Sequence, residues 1–145
     1  MKYFFDTSSL VKMYHKESGT SDVLEVYNNR ENLIQISELG RIEFLSTVHR
    51  KYRERKISCE TLDALVCKFQ DDADLRYEIL QFSSLVTDEA ESLIQNLATE
   101  FSLKTLDSIQ FAFFKVYCEP DTVFVCSDVK LANVVKKEGF QILTP

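Results

Sequence analysis

Apolar runs too short for helices alternate along this chain with segments whose apolar residues recur at helical spacing. Residues 2–6, Lys2-Tyr3-Phe4-Phe5-Asp6, read as a buried strand. From Thr7 a helix is expected, with Leu10, Val11 and Tyr14 on one face, broken by Gly19-Thr20-Ser21. Thr20 or Ser21 then caps a second helix carrying Val23, Leu24, Val26 and Tyr27, which Asn28-Asn29 ends. Leu33-Ile34-Gln35-Ile36 is a short strand. Ser37 is placed as the N-cap of a long helix with the stripe Leu39, Ile42, Leu45, Val48 and Tyr52. Ser58 starts another helix, over 58–75, with Leu62, Leu65, Val66 and Phe69 inward.

The second half repeats the alternation. Tyr77 to Phe82 is a third strand, and Thr87 caps a helix through Phe101. Thr105 caps the next helix, which reaches Tyr117 and gives way to the turn Glu119-Pro120-Asp121. Residues 122–126 are a fourth strand, 128–138 a helix ended by Gly139, and Phe140–Leu143 a last strand. Strands alternating with helices make a mostly parallel sheet covered on both faces. The expectation is an α/β fold of three layers, α/β/α, with about five strands, in one domain over residues 1–145.

Composition supports a packed core. Of 145 residues 45% are apolar, while Gly (3) and Pro (2) are scarce, so loops should be short. No basic leader precedes a long apolar stretch, and no run approaches the ~20 apolar residues of a membrane span. A cytoplasmic protein is expected, with no membrane partner. Cys59, Cys67, Cys118 and Cys126 lack C-x-x-C spacing and are expected to be reduced, buried thiols. His15 and His49 are far apart, which disfavours a histidine zinc site.

Four acids change the picture. Asp6 ends the first strand and Asp128 follows the fourth. Glu43 and Asp107 sit in helical stretches rich in apolar residues. Each alone has an ordinary explanation: Asp6 and Asp128 as helix caps, Asp107 as a first-turn acid, Glu43 as an exposed glutamate. Together they are what a hard divalent cation needs, because such ions gather oxygen ligands from distant parts of a chain. Four carboxylates at one sheet edge repel one another unless protons or a cation intervene. Mg²⁺ or Mn²⁺ would relieve that repulsion and lower the pKa of a water for hydrolysis. Ser8, two residues after Asp6, is placed to hydrogen-bond a ligand or that water.

The net charge of −6 argues against nucleic acid as a partner, but its distribution does not. His49-Arg50-Lys51-Tyr52-Arg53-Glu54-Arg55-Lys56 is a local excess of cations. It is a solvated helix end, a phosphate-contacting patch or a docking patch for an acidic partner, with Arg50, Lys51, Arg53 and Arg55 as the RNA-binding candidates.

The ordered set of motifs resembles the PIN-domain ribonucleases. Asp6-Thr7-Ser8-Ser9-Leu10-Val11-Lys12 is similar to their opening motif, and Arg41-Ile42-Glu43-Phe44-Leu45-Ser46 to the second. Leu106-Asp107-Ser108-Ile109-Gln110-Phe111-Ala112 is similar to the third, and Cys126-Ser127-Asp128-Val129-Lys130-Leu131-Ala132 to the fourth. The compact length is similar to that of VapC-type toxins of toxin–antitoxin pairs. The resemblance implies a Mg²⁺- or Mn²⁺-dependent endoribonuclease with Asp6, Glu43, Asp107 and Asp128 as its metal site and Ser8 in support. It also implies a homodimer and an antitoxin protein whose tail blocks the groove. Cys126 stands where the family commonly has a hydroxyl, and a thiol is a poorer hydrogen-bond partner.

Two other readings compete. A haloacid-dehalogenase-like phosphatase would need a second aspartate at the position of Ser8. A non-catalytic PIN-like module would dock RNA or protein without cutting; the acidic net charge favours it and the complete acid set opposes it.

Overall fold

The computed structural model describes residues 1–145. Its strands are β1 (Lys2–Phe5), β2 (Leu33–Ser37), β3 (Tyr77–Leu80), β4 (Val123–Val125) and β5 (Ile142–Leu143). They form one sheet in the order β3-β2-β1-β4-β5, and every neighbouring pair is parallel. The helices are α1 (Thr7–Leu10), α2 (Thr20–Asn28), α3 (Glu38–Arg53), α4 (Cys59–Leu75), α5 (Ser84–Leu97), α6 (Thr105–Tyr117) and α7 (Val129–Lys137). No helix is long and apolar enough to cross a membrane.

Adjacent residues of a strand point to opposite faces, so β1 feeds two cores. Phe4 packs with Val86, Leu93, Phe111, Phe114, Leu131 and Val135, from α5, α6 and α7. Phe5 packs with Val23, Phe44, Leu65 and Phe69, from α2, α3 and α4. The three-layer α/β/α arrangement follows, with a sheet that is wholly rather than mostly parallel.

Several expected boundaries shift. The helix from Thr7 is only four residues long and passes into a 3₁₀ turn over Val11–Met13. Thr20 is not a cap. Gly19, at φ +84°, holds the N-cap position of α2, and Thr20 Oγ1 instead accepts from Glu17 N–H and donates to the Lys12 carbonyl. The fifth helix starts at Ser84, one turn before Thr87, which brings Val86 into the core, and it stops at Leu97. Thr105 is the first residue of α6, flanked by Lys104. The last strand shortens to Ile142–Leu143.

The apolar stripe of α3 is also rotated. Leu39, Gly40, Phe44 and Val48 are buried, while Ile42 is 62% exposed. The Gly40 side of α3 is the side that faces α6 and α1, where a Cβ would make ordinary van der Waals contact with Ser37 Oγ (3.4 Å) and with Gln110 Nε2 and Thr7 Oγ1 (3.7 Å); the residue two positions on points away.

A polar knot fixes the segment after α1. Asp72 of α4 accepts hydrogen bonds from Tyr14 (2.8 Å), Tyr27 (2.8 Å) and Lys68 (3.2 Å). Tyr14 also bonds Tyr77 of β3. Buried polar groups satisfied this fully rigidify their surroundings, and this knot steadies the 3₁₀ turn that carries Lys12.

Phe44 stacks on Phe69 with ring centroids 4.0 Å apart and is fully buried. Phe44→Ala is expected to cost about 3–5 kcal/mol of stability in denaturant unfolding. Ile42→Ala is expected to stay within ~0.5 kcal/mol. Equal losses at the two positions would contradict the rotated stripe.

Candidate active site

The chain adds β2 and β3 on one side of β1, then crosses back to place β4 and β5 on the other. At such a reversal the loops leaving two neighbouring strands part, and a crevice opens beyond their C-terminal ends. Asp6 leaves β1 there and Asp128 follows β4. The two ends are locked together, since Asp6 N–H donates to the Val125 carbonyl at 2.9 Å. Glu43 reaches the crevice from the second turn of α3 and Asp107 from the first turn of α6. All four acids and Ser8 line one cleft of about 640 Å³, in which Val11 is the sole apolar wall residue.

Three of the acids share one arrangement: a single carboxylate oxygen is tied to the protein. Asp6 Oδ2 accepts from Ser8 Oγ at 2.6 Å and Ser8 N–H at 3.0 Å. Glu43 Oε2 accepts from Thr7 Oγ1 and Gln110 Nε2, both at 2.7 Å. Asp128 Oδ1 caps α7, accepting from Lys130 N–H at 2.8 Å and Leu131 N–H at 3.1 Å. In each case the hydrogen bonds fall on one oxygen and leave the other for the cleft. The capping role that each aspartate has on its own is therefore real, and it uses only half the carboxylate.

Ser8 does more than hold Asp6. Its Oγ also accepts from Ser127 N–H at 3.0 Å, and Ser9 and Ser127 pair through their hydroxyls at 2.8 Å. These bonds stitch the loop after β1 to the loop after β4. Cys126 is a weak neighbour: its thiol lies 3.7 Å from Asp6 Oδ2 and 3.8 Å from Ser8 Oγ. Burial, and then the Asp6 charge, push that thiol well above the usual range, so it stays protonated.

The electrostatics reflect crowding. Burial raises Asp6 to about 6, against the opposing pull of the Ser8 bonds, and Glu43 and Asp107 add to the rise. Asp107 is raised as well, by burial first and then by Asp128. No three His, Cys, Asp or Glu side chains stand close enough to enclose an ion by themselves. That spacing provides no closed cage, so a divalent cation bound here would keep several water ligands. Mg²⁺ takes one or two direct carboxylates and fills its octahedron with water. An all-oxygen donor set with three free carboxylate oxygens fits such a hard cation.

The basic cluster divides. Arg50 and Lys51 line the cleft, joined by Lys56 and Lys12. Arg53 and Arg55 border a neighbouring hollow with Tyr52, Ile57 and Ser58, and Lys56 lines both. The helix ends at Arg53, and Arg55 takes a left-handed conformation (φ +58°), which turns the chain and parts the cations.

Sequence reasoning missed Gln110. It is buried, accepts from Ser37 Oγ at 2.7 Å and donates to both Thr7 and Glu43. The available signal was a lone amide within the otherwise apolar Ile109–Phe114 run. Lys12, Glu17 and Glu54 at the cleft were missed as well.

No protein-family model matches the sequence, and no curated protein sequence does. Solved structures do match. VapC20 of Mycobacterium tuberculosis, described as a sarcin-ricin loop cleaving toxin, superposes with a TM-score of 0.69 at 13% identity, covering 99% of each chain. A chain of the promoter-DNA-bound VapBC2 structure from Rickettsia felis gives 0.68 at 18% identity, covering 99% of this chain and 98% of that one. A chain of DNA-bound VapBC from Salmonella typhimurium gives 0.69 at 13% identity, with coverage of 99% and 98%. Such identities speak to architecture, and in architecture this chain has the PIN-like α/β fold of the VapC structures.

Proposed function

We propose that this protein is a Mg²⁺- or Mn²⁺-dependent endoribonuclease, acting as the toxin of a toxin–antitoxin pair in the cytoplasm. The observation that carries the reading is the convergence of Asp6, Glu43, Asp107 and Asp128 on one polar cleft, three of them with one oxygen anchored and one free. Basic residues at the other end of that cleft, Arg50, Lys51, Lys56 and Lys12, suit a phosphate backbone. The VapC20 fold, which cleaves the sarcin-ricin loop in that protein, supports RNA as substrate. The VapBC structures support an antitoxin partner for this chain too, and a homodimer is part of the same proposal.

A divalent cation, when bound, supplies positive charge for the phosphate oxygens and makes water more acidic. The chain's own residues do the positioning. Asp6, Glu43 and Asp128 present one fixed oxygen face each. Asp107, at the mouth of α6, is placed to orient the attacking water and to take its proton at a carboxylate oxygen. Arg50 and Lys51 hold the strand by its phosphates. The second reading, a docking module without catalysis, draws on the absence of a closed metal cage.

Cleavage of total RNA with Mn²⁺ is expected, with loss in EDTA and a fall of about 10²-fold or more in Asp107→Asn. Intact RNA in every lane would favour the docking module.

Asp6 gives a stability counterpart. Its folded pKa of about 6 lies above its ordinary value, so the folded chain binds more protons than the unfolded chain between about pH 4 and 6. The Asp6 contribution to stability is therefore present at low pH and lost as pH rises through about 6. In EDTA at pH 7, Asp6→Asn is expected to melt higher than the wild type while failing to cleave. A lower melting temperature would mean that the Ser8 hydrogen bonds to Asp6 outweigh the cost of burying its charge.

Gln110→Ala removes a donor from Glu43 without touching substrate. Activity is expected to fall about 10- to 100-fold, with a higher Mn²⁺ concentration needed for half-maximal cleavage. Unchanged Mn²⁺ dependence would mean that Gln110 serves packing alone.

A further inference from the structure

The basic end of the cleft is already occupied by an anion from the protein itself. Lys51 Nζ lies 2.5 Å from Glu17 Oε1, and the Lys51 side chain is only 15% exposed. His15 Nδ1 stands 3.5 Å from the same oxygen, is buried, and makes no hydrogen bond. Burial acts to raise Glu17, yet Lys51, His15 and Lys12 outweigh it and hold the carboxyl below its usual range. A carboxylate held by Lys51 and standing 3.5 Å from His15 Nδ1, with Lys12 acting on it as well, marks a site shaped for an oxyanion.

Glu17 also stands between two hollows. Behind it lies a second pocket of about 540 Å³, lined by His15, Lys16, Thr20 and Ser21 among others. That pocket and the acid-lined cleft share two wall residues, Lys12 and Glu17. Lys12 is fixed, since it is buried and its Nζ donates to the Pro145 backbone oxygen at 2.8 Å. Glu17 has a held backbone and a free side chain. Its N–H donates to Thr20 Oγ1 at 2.9 Å. The Glu17 side chain remains 34% exposed and can swing outward.

We propose that Glu17 is a displaceable gate on an anion subsite formed by Lys51 and His15. A backbone phosphate of the bound RNA takes the place of its carboxylate, and the strand passes from the acid-lined cleft into the pocket behind. This rests on the RNA reading above. A phosphate offers the same oxyanion chemistry as the carboxylate with more oxygens, so Lys51 loses no partner in the exchange. The gate sets a threshold: an isolated anion competes poorly with a tethered carboxylate, whereas a strand held along the rest of the cleft does not.

Fluorescence anisotropy with a labelled single-stranded 2′-O-methyl oligoribonucleotide, checked for integrity by gel, tests this over a range of salt. Glu17→Gln is expected to tighten binding about two- to fivefold, the worth of one partly exposed ion pair. Its log–log salt slope should match the wild type's, because in both complexes the same phosphate contacts Lys51; a slope steeper by about 0.7 would mean that Glu17 stays on Lys51 in the wild-type complex and would overturn the displacement. Lys51→Ala is expected to weaken binding and flatten the slope, and Glu17→Gln should then have no further effect in the Lys51→Ala background. Equal or weaker binding by Glu17→Gln, or an effect that persists without Lys51, overturns the gate while leaving RNA binding intact. No binding by any of the proteins, with melting curves unchanged, defeats the RNA reading and the gate with it.

Discussion

Negative charge crowded at one edge of the sheet is the constraint from which the rest of the site follows. Parallel strands β1 and β4 end side by side, and the chain puts an acid just beyond each. Two further helices bring two more. Desolvation makes the arrangement costly, as the raised Asp6 and Asp107 show. The fold tolerates it by securing one oxygen of Asp6, Glu43 and Asp128 with local donors: a serine, a threonine with a glutamine, and two helix N–H groups. Hydrogen bonds to an ionised acceptor recover part of what burial removes. The very short α1 suits this plan. Its four residues put Thr7 and Ser8 within reach of two different carboxylates before the chain turns away.

The strands and the four acids were legible because both rest on local pattern. An apolar run followed by an aspartate needs no tertiary information to be read as a strand end. The resemblance carried by the four motifs then orders the acids around one edge. Residues whose roles depend on helix rotation or on a partner far along the chain were not legible. Ile42 fits an apolar stripe by spacing alone, and only the burial of the Leu39, Gly40, Phe44 and Val48 side of α3 turns it outward. Gln110 sits in a run that reads as buried, which it is, but the sequence does not reveal that its partners are Ser37, Thr7 and Glu43. The basic cluster reads as continuous, yet the helix end at Arg53 and the left-handed Arg55 send its members to two different hollows. Thr87 and Thr105 are good caps by type, but core residues fixed where those helices begin.

Net charge misleads for a chain of this kind, and the cleft shows why. A formal −6 sums over the whole surface, whereas a ligand meets charges within about one Debye length, ~8 Å at physiological salt. Within the cleft the acids gather at one end and the cations at the other. The cations are themselves matched by Glu17 on Lys51 and Glu54 on Lys56. Both ends thus carry charge whose compensation is replaceable: protons or a cation at the acids, protein carboxylates at the bases. On the proposed reading a phosphodiester strand with its divalent ion is the ligand that satisfies both ends at once. A simple anion would be repelled by the acids, and a cation alone would leave the basic end as it is. Selectivity for that combination then follows from where the charges sit, and the sign of their total says nothing about it.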